Sequence, residues 1–265
     1  MDTLRASLNH HAERVWEAVA PGLPGFSVEV LTEIDSTNTE LMRRARAGLL
    51  SPTLLVALSQ TAGRGRRGKA WVSAPGDSLT FSLGLPMAPV DWSGLSLAVG
   101  VSLADSLHPE VRLKWPNDLW WRGHKLGGIL VETANPGATQ DGGRCAVVGV
   151  GLNLATPVLP ELPAAEMPPM PPAGLRECLP GLEAGALMLR VLPALVRDLQ
   201  AFETLGFEAF AQRFAQRDAL LGQAVRTSDG LEGEACGVGP DGCMRVLTAN
   251  GMRDVSSAEV SVRPC

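Results

Sequence analysis

The densest chemistry in the chain lies at residues 60–71, where Gly63, Gly65 and Gly68 are interleaved with Arg64, Arg66, Arg67 and Lys69. Glycines let backbone amides approach an anion closely, and guanidiniums donate paired hydrogen bonds to phosphate or carboxylate. The segment reads as an anion-handling loop. Cations this close repel one another, so ligand is expected to order it. The Gly63-x-Gly65-x-x-Gly68 spacing matches a dinucleotide fingerprint, but that fingerprint must open a helix, and here Trp71 leads into a strand. A Walker loop needs Ser or Thr after its lysine, whereas Ala70 follows Lys69. The downstream motifs of a protein kinase are absent. Taken alone, a charge run of this kind is more often a solvated loop; its companions argue for chemistry.

Four further segments accompany it. KWPND at 114–118 leaves a strand through Pro116 and sets Asn117 and Asp118 at the strand end, where they either face a site or make a plain turn. KLGG at 125–128 follows Lys125 with adjacent glycines, a pattern that suits close approach by a ligand or another backbone. GVGLN at 149–153 ends a glycine-bearing strand on Asn153, with a packing glycine pair as the alternative. DSTN at 35–38 offers hydroxyl and amide groups that could equally cap a helix.

In this order, DSTN, GRGRRG, KWPND and KLGG resemble the biotin–protein ligases, over about residues 30 to 155 and more loosely through the C-terminus. Lipoate–protein ligases share the fold by resemblance but lack the Gly/Arg loop and KWPND. The resemblance implies an α+β fold, with a mixed-sheet, class II synthetase-like catalytic domain and a small SH3-like β barrel. It implies that Ser36, Thr37, Asn38 and Gln60 contact biotin, and that Arg64, Gly65 and Arg66 belong to a loop covering biotin and its adenylate. Trp71 would stack near the adenine, Asn117 would help to place the nucleotide and its Mg²⁺, and Asn153 would border the adenylate ribose or phosphate. Lys125 would meet the biotin carboxylate and the α-phosphate.

The implied substrates are ATP and biotin, with Mg²⁺, and the implied partner is the biotin carboxyl carrier protein of acetyl-CoA carboxylase. Arg66 and Lys125 would neutralise charge in the adenylation step, and Asp118 would orient or deprotonate the acceptor lysine. A ligase for another acyl acid such as lipoate, or a non-catalytic biotin sensor, are the alternatives. Oligomeric state is open, with a homodimer as one option.

These residues need elements to hold them. Apolar spacing predicts a helix from Leu4 to its stop at Pro21, then a strand at 26–31. Thr37-x-x-Glu40 has capping-box spacing for a helix that ends at Gly48. Strands are expected at 54–59, 78–85, 111–115, 126–133 and 146–154, with a helix over 93–107 and PNDLWWRGHK as a connector. Residues 156–173 are too proline-rich for regular structure. Helices at 183–204 and 206–217 follow, the first expected to kink or split at Pro193. Short strands separated by SDG, GPDGC and ANG turns then form a small all-β unit. The expected division is a catalytic domain over 1–217 and a β domain over 218–265.

Composition narrows the class. Lys and Arg total 23 against 28 Asp and Glu, a formal charge of −5, which argues against DNA or an anionic membrane as the main partner. One amphipathic N-terminal helix leaves no room for a helix-turn-helix. Cys145, Cys178, Cys236, Cys243 and Cys265 are scattered without a CxxC, so free thiols are expected rather than a disulfide frame or zinc site. No apolar run approaches the ~20 residues of a membrane span, and Asp2, His10, His11 and Glu13 stand where a signal peptide would be apolar. A cytoplasmic protein is expected.

Overall fold

Period-two alternation gives the main sheet two working faces, one for the core and one for the site. The computed structural model describes residues 2–49, 51–135, 144–158, 171–256 and 262–264. The chain runs α1 (Asp2–Val19), β1 (Ser27–Ile34), α2 (Thr37–Arg46), β2 (Thr53–Gln60), β3 (Ser78–Met87) and α3 (Leu95–Leu107). It continues through β4 (Arg112–Lys114), β5 (Asp118–Trp121), β6 (His124–Ala134), β7 (Arg144–Asn153), α4 (Ala184–Leu205) and α5 (Glu208–Ala215). The last strands are β8 (Ala224–Thr227), β9 (Glu232–Val238), β10 (Met244–Thr248), β11 (Gly251–Val255) and β12 (Val262–Pro264). The first seven strands form one mixed sheet in the order β1-β2-β3-β7-β6-β5-β4. Only β1 and β2 run parallel. The architecture is the expected α+β.

Alternate residues of the central strands face the helices: Leu54, Val56 and Leu58 on β2, Leu79, Phe81 and Leu83 on β3, Val148, Val150 and Leu152 on β7. They form one core with α1, α3 and α4. Each such side chain contributes about 1.5–3 kcal/mol when fully buried. On the opposite face Leu55 and Val147 pack against Leu41, Met42 and Ala45 of α2. Beyond α2 that face carries Thr80, Ser82, Gly149 and Gly151, small groups that leave space above the sheet.

Three local expectations change. The connector after Pro116 contains a strand, β5, which returns to β6 through a two-residue turn at Arg122 (φ 48°) and Gly123 (φ 83°). Positive φ at both central positions suits the twist of a tight hairpin, and Arg-Gly served here in place of the usual Asn-Gly. Helix α4 continues through Pro193 for 22 residues. Leu187, Met188 and Val191 before the proline, and Leu195, Val196 and Leu199 after it, are buried in one core, and that packing keeps the helix whole. The cap of α2 is Ser36 rather than Thr37: Ser36 Oγ accepts from Thr39 N at 3.4 Å, which frees the Thr37 hydroxyl.

The last strands form a five-stranded antiparallel sheet, β11-β10-β9-β8-β12. Its Val225, Ala235, Met244 and Val246 belong to the same buried core as the large sheet. Trp115 Nε1 donates to Gly242 O at 3.0 Å across this junction, and a Cβ on Gly242 would meet the Gly94 backbone at 2.8 Å. Of the proline-rich stretch, 159–170 lies outside the described residues. Its far end is tied to Lys125, whose N–H donates to Pro171 O at 3.0 Å and whose carbonyl accepts from Ala173 N at 2.9 Å. Cys145, Cys178, Cys236 and Cys243 are free thiols, and Cys265 lies outside the described residues. Among the described residues no helix is long and apolar enough to cross a membrane.

Candidate active site

The open face of β3, β6 and β7 and the 60–71 loop enclose a cavity of about 780 Å³. Two glycines of β7 make it possible, because other side chains fill the space their own would take. A Cβ on Gly149 would stand 2.1 Å from Asn38 Oδ1, and one on Gly151 would stand 2.3 Å from the Trp71 ring. Asn38 and Trp71 are thereby seated two residues apart along one strand, about 7 Å.

The Gly149 end is lined by neutral hydrogen-bonding groups, with the Glu132 carboxylate behind Asn38 balanced by Arg64. Thr37 N and Oγ1 donate to Gln60 Oε1 at 2.7 and 3.0 Å. Ser82 Oγ lies 2.7 Å from Thr37 Oγ1 and 2.6 Å from Asn38 Oδ1. Asn38 Nδ2 donates to Leu130 O at 3.2 Å and Glu132 Oε2 at 3.0 Å. Ser36, Thr37, Asn38 and Ser82 are all buried. Such a set suits a neutral polar head group that both donates and accepts.

The Gly151 end is cationic. Gly151 pairs with Gly128 of β6, and beside Gly128 the Lys125 ammonium lies 2.6 Å from Asp118 Oδ1. Lys114 reaches the other Asp118 oxygen at 3.9 Å. Burial lowers the pKa of Lys114; Asp118 opposes this, while Lys125, Lys69 and Arg263 add to it. Burial also lowers Arg66, with Asp118 opposing and Arg67 adding; a guanidinium stays charged near neutrality regardless. Arg66 Nη1 donates to Asn117 Oδ1 at 3.3 Å, and Asn117 Nδ2 is anchored on Ile129 O at 3.0 Å. Among the described residues, the basic Arg64, Arg66, Arg67, Lys69, Lys114, Lys125 and Arg263 line the cavity against one acidic residue, Asp118. That imbalance favours a polyanion.

The loop is held from both sides. Arg64 pairs with Glu132 at 2.9 Å, which ties it to the Asn38 network, and Arg67 Nη1 donates to Ser228 Oγ at 2.9 Å in the small sheet. Trp71 Nε1 donates to Thr80 Oγ1 at 3.3 Å.

Residues 30–153 match the sequence model of the Biotin/lipoate A/B protein ligase family. The bifunctional ligase/repressor BirA of Escherichia coli (strain K12) is 32% identical over 253 residues, covering 91% of this chain and 75% of that protein. The chain belongs to the biotin–protein ligase family. The biotin–[acetyl-CoA-carboxylase] ligase of Mycobacterium tuberculosis (strain ATCC 25618 / H37Rv) is 37% identical over 164 residues, 58% of this chain and 58% of its own length. Among solved structures, the biotin protein ligase from Aquifex aeolicus in complex with biotin and ATP aligns with a TM-score of 0.71 at 28% identity, covering 90% of this chain and 99% of that one.

Against this family frame, the cavity brings together Ser36, Thr37, Asn38, Gln60, Arg64, Gly65, Arg66, Trp71, Asn117, Asp118 and Lys125. Asn153 departs from the expectation of a nucleotide contact. It is buried outside the cavity lining, and its amide donates to Lys125 O at 3.4 Å and Ala173 O at 3.1 Å. It clamps the backbone behind Lys125. Sequence reasoning missed Ser82, Glu132, Lys114, Ser228 and Arg263. Strict alternation along β3 and β6 would have put Ser82 and Glu132 on the site face, and Lys114 already stood in KWPND. No sequence signal brings in Ser228 and Arg263, because packing of the small sheet places them.

Proposed function

We propose that this chain activates biotin with ATP to biotinyl-5′-AMP and transfers the biotinyl group to a lysine of the biotin carboxyl carrier domain of acetyl-CoA carboxylase. The observation that carries the reading is one cavity with an end of neutral hydrogen-bonding groups, its one ion pair balanced, and a cationic end, about 7 Å apart on β7. The first suits a ureido head group and the second a triphosphate. In the first step an oxygen of the biotin carboxylate attacks the α-phosphorus and pyrophosphate departs. Both reactants are anions, so their repulsion must be offset where they meet. Lys125 and Arg66 are the groups placed for this, and each such donor is worth about 3–4 kcal/mol of barrier.

In the second step the acceptor amine attacks the acyl carbon, AMP leaves with the bonding electrons, and the nitrogen gives up a proton. Asp118 is the carboxylate that lines the cavity among the described residues, fixed by Lys125, and it orients or deprotonates the amine. Ser36, Thr37, Asn38 and Gln60 read the biotin head, Arg64, Gly65 and Arg66 cover the adenylate, and Trp71 stacks beside the adenine. Among the described residues no three His, Cys, Asp or Glu side chains converge as a metal site. Mg²⁺ would come with the nucleotide phosphates and supply charge neutralisation, with Asn117 as a neighbouring oxygen donor. The small C-terminal unit, taken as residues 218–265, contributes to the same site through Ser228 and Arg263.

The deciding assay incubates the protein with ATP, Mg²⁺, either biotin or lipoate, and an apo carrier domain, and reads the carrier's mass. A biotinyl mass shift is expected. Free adenylate with unmodified carrier would refute the ligase reading, and a lipoyl shift would reassign the acid.

A further inference from the structure

Lys125 faces the cavity against the alternation of its own strand. On β6, Gly128 and Leu130 line the cavity while Ile129 lies in the core, so regular pleating would send residue 125 to the core side. A bulge reverses this. Leu119 of β5 pairs with Gly127 and Trp120 pairs with Lys125, which leaves Leu126 as an extra residue on β6. Leu126 is buried in the core, and Lys125 stands on the same face as Gly128, its ammonium 2.6 Å from Asp118 Oδ1. Bulges re-aim side chains in this way, and they interrupt the ladder that would otherwise hold the backbone.

The Lys125 backbone also lies past the end of its other neighbour, because pairing of β6 with β7 starts at Gly127 and Leu152. Residues 171–173 fill that place. Pro172 bridges Lys125 in parallel, the Lys125 N–H donates to Pro171 O at 3.0 Å, and the Lys125 carbonyl accepts from Ala173 N at 2.9 Å. This segment is itself anchored. A Cβ on the buried Gly174 would stand 2.4 Å from both Ala155 C and Thr156 N, so its backbone packs directly on the chain leaving β7. Glu177 Oε1 accepts from Gly174 N at 2.9 Å and from the Thr156 hydroxyl, which ties the same two stretches together.

We infer that residues 171–174, held by Glu177, are a positioning element for the adenylation step: they fix the bulged backbone from which Lys125 is aimed. The inference rests on the ligase reading and deepens it, since Lys125 is the group placed where carboxylate and α-phosphate meet. Gly174 and Glu177 lie outside the cavity lining and act through Lys125. A bulged residue gripped on one side only would let the ammonium wander. Misplacement by about 1 Å, caused by a change far from the chemistry, costs up to about a hundredfold in rate.

The test measures single-turnover formation of biotinyl-adenylate by the full chain with ATP, Mg²⁺ and biotin. Gly174→Ala should slow it by roughly tenfold to a hundredfold, the loss falling on rate more than on biotin affinity. In a Lys125→Met background the same change should add almost nothing, because the group it acts through is gone. An equal loss with and without Lys125 would make the role merely structural and refute the inference. Should Gly174→Ala not fold, Glu177 decides. Glu177→Ala should slow adenylation by roughly threefold to tenfold, and Glu177→Gln, which keeps an oxygen acceptor, should restore it. A wild-type rate in Gly174→Ala or in Glu177→Ala overturns the inference. Amide hydrogen exchange at Lys125 reads the grip without any reaction: both alanine variants should lose protection by about fivefold or more, and unchanged protection is equally fatal. Failure of the ligase reading looks different: wild type forms no biotinyl-adenylate, yet exchange at Lys125 still rises in the variants.

Discussion

Gly151→Ala separates the two ends of the cavity. The added Cβ would stand 2.3, 2.4 and 2.8 Å from Cε2, Cζ2 and Nε1 of Trp71, all far inside contact distance. Gly151 cannot retreat, because its strand is paired on both sides, with Thr80 of β3 and Gly128 of β6. Trp71 must therefore move. It sits on a loop, and its one side-chain hydrogen bond, 3.3 Å to Thr80, is worth about 1 kcal/mol, so expelling the ring changes stability little. On the proposed reading, what is lost is an aromatic face for the adenine, worth about 1–3 kcal/mol for a stacked base. That is about fivefold to 150-fold in ATP affinity. Asn38 packs on Gly149 and is untouched, so biotin affinity should stay within about twofold. Separate titrations with ATP and biotin, plus a thermal melt, read all three quantities. Unchanged ATP affinity, or equal losses for ATP and biotin, would refute the assignment of Trp71 to the nucleotide.

Gly149→Ala makes the converse test: the Cβ would meet Asn38 Oδ1 at 2.1 Å, and Asn38 is buried and held by Ser82, Leu130 and Glu132. Overpacking of about 1–3 kcal/mol and a fall of about tenfold or more in biotin affinity are expected, and wild-type biotin binding would contradict them. Trp115→Phe leaves the Gly242 carbonyl without its buried donor and should cost about 1–3 kcal/mol in urea denaturation, with no loss if the small sheet docks independently of this bond. Burial depresses Lys114 in the folded chain below the ordinary 10.5 that it regains on unfolding. Between the two values the unfolded chain binds more protons, so stability rises with pH through that window. Lys114→Met should flatten that rise and stabilise the fold near neutral pH, since it removes a buried charge. Urea titrations of both proteins at about pH 7 and about pH 9.5 check this, and parallel curves would contradict it.

Much of the site was legible because its chemistry is concentrated in short motifs. The Gly/Arg loop keeps its cations within a few residues, so residue type and spacing mark it as anion-handling, whereas KWPND and KLGG took their meaning from standing beside it in the order that resembles the family. The main strands and helices were also legible, because burial on one face imposes a period that local sequence must carry. The Arg122-Gly123 hairpin and the unbroken α4 were not. A turn made without its usual residues and a proline tolerated by packing are both settled by what surrounds them.

By itself, then, the sequence determined the loop's composition, the acidic overall charge, and the family. Only the tertiary structure decided which groups meet. It took Asn153 out of the cavity to clamp the Lys125 backbone, brought Ser82 and Glu132 in behind Asn38, and folded Ser228 and Arg263 in from the C-terminal strands. It also left the Trp120 N–H without an acceptor among the described residues. Whether a polar group is spent or left over depends on its neighbours across strands and sheets, and no local pattern records that.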